Sequence, residues 1–183
     1  NAQLIFDGAS TLPMFGYRAR MAHVAESGLA KAHCTQFVTR LREAKRPLIY
    51  AGGGVVAGSA TRALREFAEA FGIPVTTTLM GIGVSDTTQP LSLHMLGMHG
   101  TAYANYAIED CDFLIAVGAR FDDRVAGVPK QFAPRAKFVA HFDIDPAEIN
   151  KVKHADWHYV GELAPALDRL RTYAAEQGFR PSE

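Results

Sequence analysis

The chain has 183 residues, 48% of them hydrophobic and 21% charged, with 19 Lys and Arg balancing 19 Asp and Glu. These fractions fit one globular domain and exclude a mostly disordered chain. Zero net charge gives no electrostatic case for nucleic acid or an anionic membrane, both of which recruit clustered Lys and Arg, and no apolar run approaches the roughly 20 residues of a membrane helix. Cys34 and Cys111 form neither a metal-ligand spacing nor a disulfide framework, so they read as ordinary thiols of a cytoplasmic protein. Asn1-Ala2 reads as a scar left by tag removal, so the chain is expected to be a piece of something longer.

Residues 1–25 form an irregular leader whose Leu4, Ile5, Phe6, Met14 and Phe15 are expected to pack on something. A domain over 26–178 and a short tail over 179–183 follow. Ala30, Cys34, Phe37, Val38 and Leu41 share one helical face, with Ser27 as the expected N-cap. Leu48–Ala51 is a strand that runs into Gly52-Gly53-Gly54. A helix with Ala60, Leu64, Phe67, Ala68 and Phe71 on one face follows, closed by Gly72. Residues 73–78 are the next strand, and 79–100 a long functional loop with a short helical turn. Thr101 to Asp110 is helical, and 112–117 is a strongly apolar strand ending at Gly118. Residues 119–135 are irregular. Strands over 137–142 and 157–160 follow, the first closing on Asp143-Ile144-Asp145-Pro146, where Asp145 is expected to cap a helix starting near Pro146. A final helix buries Leu163, Ala166, Leu167, Leu170 and Ala174.

Near-continuous apolar strands separated by amphipathic helices predict an α/β fold. The expected form is a doubly wound, Rossmann-like parallel sheet of five or six strands with helices on both faces. Ligands of such sheets bind at the carboxyl edge, where strand order reverses. That edge collects Gly52–Gly54, Thr77–Met80, Gly118–Arg124 and Asp143–Ile144.

Gly52, Gly54 and Ala57 keep the G-x-G-x-x-G/A spacing of a dinucleotide turn, which equally suits tight strand-to-helix packing. A nicotinamide site also wants an acid about 20 residues on, and Thr76-Thr77-Thr78 stands there, so ordinary NAD binding is disfavoured. Leu96-Gly97-Met98-His99-Gly100-Thr101 can present Met and His to a flat ligand, or simply cap a helix. Arg120, Asp122, Asp123 and Arg124 can pair with one another or offer guanidinium forks to phosphate. His154 and His158 read as structural. The chain carries no zinc motif, no G-x-S-x-G elbow and no phosphate-loop lysine motif.

Four stretches together are more specific. Arg46–Gly54, Ile73–Gly81, Leu96–Asn105 and Gly118–Val125 resemble, in order and spacing, the central domain of the acetolactate synthase (acetohydroxyacid synthase) catalytic-subunit family. The resemblance runs from about Ala44 to Glu162. It implies the middle-domain fold of thiamine-diphosphate enzymes, a six-stranded parallel sheet, and a site for FAD. Carried over by position, the flavin nucleotide is contacted by Gly52, Gly53 and Gly54, by Thr78, Leu79 and Met80, and by Leu96, Gly97, Met98 and His99. Gly118, Ala119, Arg120, Asp122, Val125, Asp143 and Ile144 complete the set. Met98, Asp123 and Arg124 match family positions near the substrate channel, where herbicide inhibitors also bind. One departure is Gly161-Glu162, where the family often has Gly-Asp against the flavin.

The family condenses two 2-keto acids, pyruvate with pyruvate or 2-ketobutyrate, in branched-chain amino-acid biosynthesis. The resemblance therefore implies thiamine diphosphate and Mg²⁺ held by flanking domains. No catalytic residue and no metal ligand is expected in these 183 residues, and the isolated domain is expected to be inactive. The flanking domains, a homo-oligomeric parent enzyme and a regulatory subunit are the expected partners. Two other readings stand beside it: the middle domain of a 2-keto-acid decarboxylase or glyoxylate carboligase, and a free-standing nucleotide-binding module.

Overall fold

Strands of this chain are buried on both faces, and their side chains sort the molecule into two apolar layers. In the computed structural model, which describes residues 28–179, six strands form one all-parallel sheet. In chain order the elements are α1 (Lys31–Glu43), β1 (Pro47–Ala51), α2 (Gly53–Ala57), α3 (Thr61–Phe71), β2 (Val75–Thr77), β3 (Ser92–Met95), α4 (Ala102–Asp110), β4 (Phe113–Val117), α5 (Asp123–Ala126), β5 (Phe138–Asp143), β6 (Trp157–Val160) and α6 (Leu163–Glu176). The strand order is β3-β2-β1-β4-β5-β6. Its direction reverses between β1 and β4, and in open sheets of this kind the carboxyl ends at such a reversal are where a ligand site is sought.

Alternation along each strand feeds the two layers. Ile49, Ala51, Phe113, Ile115, Val117, Ala140 and Phe142 join α1, α3 and α6 on one face. Leu48, Tyr50, Leu114, Ala116 and Val139 join α4 and the 119–133 segment on the other. Phe37 of α1 sits at the centre of the first layer, its ring 5.2 Å from that of Trp157 and 5.4 Å from Phe113. The helical faces largely follow the spacing: α1 buries Cys34, Phe37, Val38 and Leu41, whereas Ala30 precedes the helix and is exposed, and α3 buries Leu64, Phe67, Ala68 and Phe71, with Ala60 buried just ahead of it. No helix among the described residues is long and apolar enough to cross a membrane.

Four local expectations are corrected. The 79–100 segment is not all loop and turn, because Ser92–Met95 adds a sixth strand at the sheet edge. Its register shifts against β2 and His94 takes φ +60°, which breaks the alternation that marks a strand. The helix expected after Pro146 is a run of turns instead. Asp143 Oδ1 accepts from Asp145 N at 2.9 Å and Asp145 Oδ1 from Ala147 N at 2.9 Å, and these local bonds compete with a helix. The N-cap of α1 is Ala30, without a side-chain bond, and Ser27 lies outside the described residues, as does the leader. The helix after the triple glycine comes in two pieces, with Ser59 at φ +52° between α2 and α3. Phe179 still packs on the first layer, 5.0 Å from the Phe71 ring, whereas residues 180–183 lie outside the described ones.

Candidate functional site at the carboxyl edge of the sheet

Backbone hydrogen bonds tie the strand ends into one continuous rim. Leu96 N donates to Thr77 O (3.2 Å), Thr78 N to Ala51 O (2.9 Å), Gly52 N to Val117 O (3.0 Å), Gly118 N to Phe142 O (2.9 Å) and Gly161 N to Asp143 O (3.0 Å). The loops that leave these ends touch. A Cβ on Gly52 would lie 2.5 Å from Ala119 Cα, one on Gly54 2.7 Å from Gly118 Cα, and one on Gly53 2.9 Å from Met80 Cβ. Gly118 itself sits at φ +54°, in the left-handed region that favours glycine. All the segments singled out in the sequence therefore lie along a single edge, and the glycine turn meets Gly118 where strand order reverses.

The triple glycine is spent on that approach. Gly52 N and Gly54 N already donate to Val117 O and Gly118 O, and Val55 N to Gly52 O. Between packing and phosphate cradling, the geometry of Gly52 and Gly54 favours packing. Other positions face outward. Leu79 (67% exposed), Met80 (75%), Met98 (88%) and Ile144 (43%) leave large apolar side chains in solvent, and His99, Arg120 and Asp122 are exposed. Leu96 and Ala119 are buried, so they present only backbone to the rim. Val125 is half-buried against the second layer. The backbone of Asp123 and Arg124 opens α5, but their side chains lie outside the described ones. Glu162 is the N-cap residue of α6 and makes no capping bond.

An open cleft of about 340 Å³ adjoins the rim beside β3, lined among others by Thr77, Ser92, His94, His99, Thr101 and Tyr103. The hydroxyls at the end of β2 serve the fold: Thr76 Oγ1 donates to His94 O (3.0 Å) and Thr78 Oγ1 accepts from Gly81 N (3.1 Å). Neither thiol is poised for chemistry. Burial pushes Cys111 up to about 12 and raises Cys34, both away from the thiolate. No group of three or more His, Cys, Asp or Glu among the described residues is placed to hold a metal.

Three supporting residues escaped the sequence reading. Tyr50, fully buried on β1, donates its hydroxyl to Arg120 O at 3.4 Å, and burial followed by the Asp122 charge raises its phenol well above the usual range. Asn105 of α4 bonds both sides of Gly97. His141, 1% exposed on β5, places Nε2 3.1 Å from Ala119 O, while its Nδ1 has no partner among the described residues. A side chain reaching from one strand to the next loop leaves no periodic trace in the sequence.

His141 is expected to make the stability of the fold sensitive to acid. Burial lowers its pKa, outweighing the opposing pull of Asp143, whose Oδ2 lies 3.8 Å from Nε2. A folded-state pKa below the unfolded value means that the unfolded chain takes up the proton first. This site's contribution to stability is therefore complete above about pH 6.5 and is lost as pH falls through the folded pKa. Urea midpoints at pH 7.5 and 5.5 should fall with acid in the native chain and fall less in His141→Gln. Equal losses in both would rule out His141 as the source.

The model of the family "Thiamine pyrophosphate enzyme, central domain" matches residues 34–170. The chain is 52% identical over 141 residues (77% of the chain, 23% of the relative) to the acetolactate synthase large subunit of Parasynechococcus marenigrum (strain WH8102). It is 50% identical over 166 residues (91% and 25%) to the chloroplastic acetolactate synthase 1 of Zea mays. It is 51% identical over 131 residues (72% and 24%) to the acetolactate synthase isozyme 2 large subunit of Escherichia coli (strain K12). The chain spans about a quarter of the length of these curated relatives. With its 3-2-1-4-5-6 parallel sheet and a family match across about three quarters of its length, the chain belongs to the family of thiamine pyrophosphate enzyme central domains.

Proposed function

We propose that this domain is the FAD-nucleotide-binding centre of an acetolactate synthase, an enzyme that joins two 2-keto acids with loss of carbon dioxide from the first pyruvate. The observation that carries the proposal is the convergence of Gly52–Gly54, Met80 and Gly118–Ala119 at the point where strand order reverses. The donor set suits a flavin dinucleotide. Leu79, Met80, Met98 and Ile144 offer apolar cover to a flat ring and its chain, and the exposed Arg120 offers a fork to phosphate. Asp143 is buried at the end of β5, with Oδ1 engaged by Asp145 N and Oδ2 facing His141 Nε2 at 3.8 Å, so it shapes the rim rather than offering a free carboxylate. NAD is disfavoured because Thr76, Thr77 and Thr78 occupy the end of β2, where a ribose-binding acid would stand.

Thiamine diphosphate, when bound, supplies the electron sink for decarboxylation and carbon–carbon bond formation. In this proposal it and Mg²⁺ are held outside these residues, by flanking domains. This chain's residues bind and orient the flavin nucleotide. Met98, Asp123 and Arg124 border the substrate channel. A homo-oligomeric enzyme with a regulatory subunit, working in the cytoplasm, completes the reading. Two relatives are named as large subunits, and Cys34 and Cys111 are free thiols.

The test is direct titration with FAD and NAD, followed by flavin fluorescence and visible circular dichroism. FAD should bind weakly but measurably, and more tightly than NAD. Incubation with pyruvate, thiamine diphosphate and Mg²⁺ should give no acetolactate. Preference for NAD overturns the flavin assignment, and appreciable acetolactate overturns the division of labour between domains.

A further inference from the structure

The Leu96–Gly100 loop carries two outward-facing candidates of the rim. Met98 is 88% exposed and His99 is exposed, so packing among the described residues does little to set the direction of their side chains. Their orientation is set by the backbone beneath them, and that backbone is held from one side chain. Asn105 Oδ1 accepts from Gly97 N at 2.9 Å, and Asn105 Nδ2 donates to Gly97 O at 3.1 Å and to Thr101 O at 3.1 Å. One carboxamide thus satisfies both polar groups of a single residue and ties it to the N-cap of α4. Gly97 sits at φ +101°, a conformation that the amide clamp holds in place. The loop is also coiled on itself, with Gly100 N donating to Gly97 O (2.9 Å) and Thr101 N to Met95 O (2.9 Å).

We propose that Asn105 is a positioning residue of the cofactor site, whose carboxamide fixes Gly97 so that Met98 and His99 meet a bound flavin nucleotide in one preset orientation. The inference rests on the flavin reading above and adds to it a residue that touches no ligand. Its physical content is preorganisation: a loop already held in its binding conformation spends no binding energy on ordering. Both donor hydrogens and the acceptor oxygen of the amide are used, so no other side chain of that size substitutes fully. Aspartate keeps the acceptor for Gly97 N. It then turns a second oxygen toward two carbonyl oxygens that previously received hydrogen bonds.

That asymmetry supplies the experiment. Asn105 is the fourth residue of α4, where an acid is still favourable to the helix dipole and offsets part of the cost of facing two carbonyls, so Asn105→Asp in the 183-residue chain should remain folded at the temperature of the binding assay. A role confined to helix stability predicts unchanged FAD binding in this variant. The clamp predicts an FAD dissociation constant raised about tenfold, with diminished visible circular dichroism of the bound flavin. In Asn105→Ala, which loses all three bonds, exchange of the Gly97 amide proton should accelerate by about tenfold or more in the protein without ligand. Native FAD affinity and dichroism in Asn105→Asp overturn the positioning role. Unchanged Gly97 exchange in Asn105→Ala overturns the clamp itself. Failure of the native chain to bind FAD strikes the flavin reading, while the exchange measurement still decides the clamp.

Discussion

Phe37→Ala is expected to destabilise the fold by about 3–5 kcal/mol, read as a shift in the urea or thermal midpoint. Phe37 has no exposed surface, and its ring lies within 6.1 Å of four others, those of Phe67, Phe113, Phe142 and Trp157. These partners come from α3, β4, β5 and β6, so the cavity opens at the junction of a helix and three strands rather than beneath one mobile side chain. Such a junction cannot collapse to fill the void without moving the sheet, which places the cost at the upper end for a Phe truncation. A domain of this size commonly has about 5–15 kcal/mol of total stability, so the variant should be partly unfolded at modest temperature. Val56→Ala, at a side chain that is 52% exposed, should stay within about 0.5 kcal/mol of the native chain. A Phe37→Ala protein as stable as Val56→Ala would mean that the first layer is not packed as described.

The sequence made the frame legible because burial on both faces leaves a strong signature. Phe113–Val117 is buried at every position, and only a central parallel strand explains five consecutive apolar residues between a helix and a glycine. Helix α3 was legible for the opposite reason, its apolar residues recurring at helical spacing on a charged background. Strand β3 was not, because an edge strand with a bulge at His94 obeys neither pattern. The rim followed from topology alone: once strands are parallel, every strand-to-helix loop emerges on the same edge. What supports the rim did not follow. Asn105 reaches back eight residues and His141 reaches 22 residues to Ala119, and such side-chain-to-backbone bonds exist only after the sheet has closed. The glycine fingerprint illustrates the difference between spacing and cause. Its spacing suited a phosphate turn, but Gly52 and Gly54 are required first by the backbone of Gly118 and Ala119 lying against them.

Gly52→Ala should therefore be costly although the residue has an ordinary extended backbone, with φ −112° and ψ −174°. Alanine suffers no conformational strain there, and the whole penalty is steric. The new methyl would sit 2.5 Å from Ala119 Cα and against the Gly118 carbonyl oxygen, both backbone atoms that no rotamer change can move. Relief requires the ends of β1 and β4 to separate, which stretches Gly52 N to Val117 O and Gly54 N to Gly118 O together. Overpacking and two weakened hydrogen bonds together predict a loss of about 2–5 kcal/mol. Gly28→Ala is the matched control, since a Cβ there meets nothing among the described residues within 4 Å, and it should change stability by less than about 0.5 kcal/mol. Separation of the two strand ends also opens the switch point, so FAD binding should weaken in Gly52→Ala even at temperatures where the chain is fully folded. A Gly52→Ala protein with native stability and native FAD affinity would show that the two loops have room to spare, and the convergence of Gly52–Gly54 with Gly118–Ala119 would no longer carry the flavin proposal.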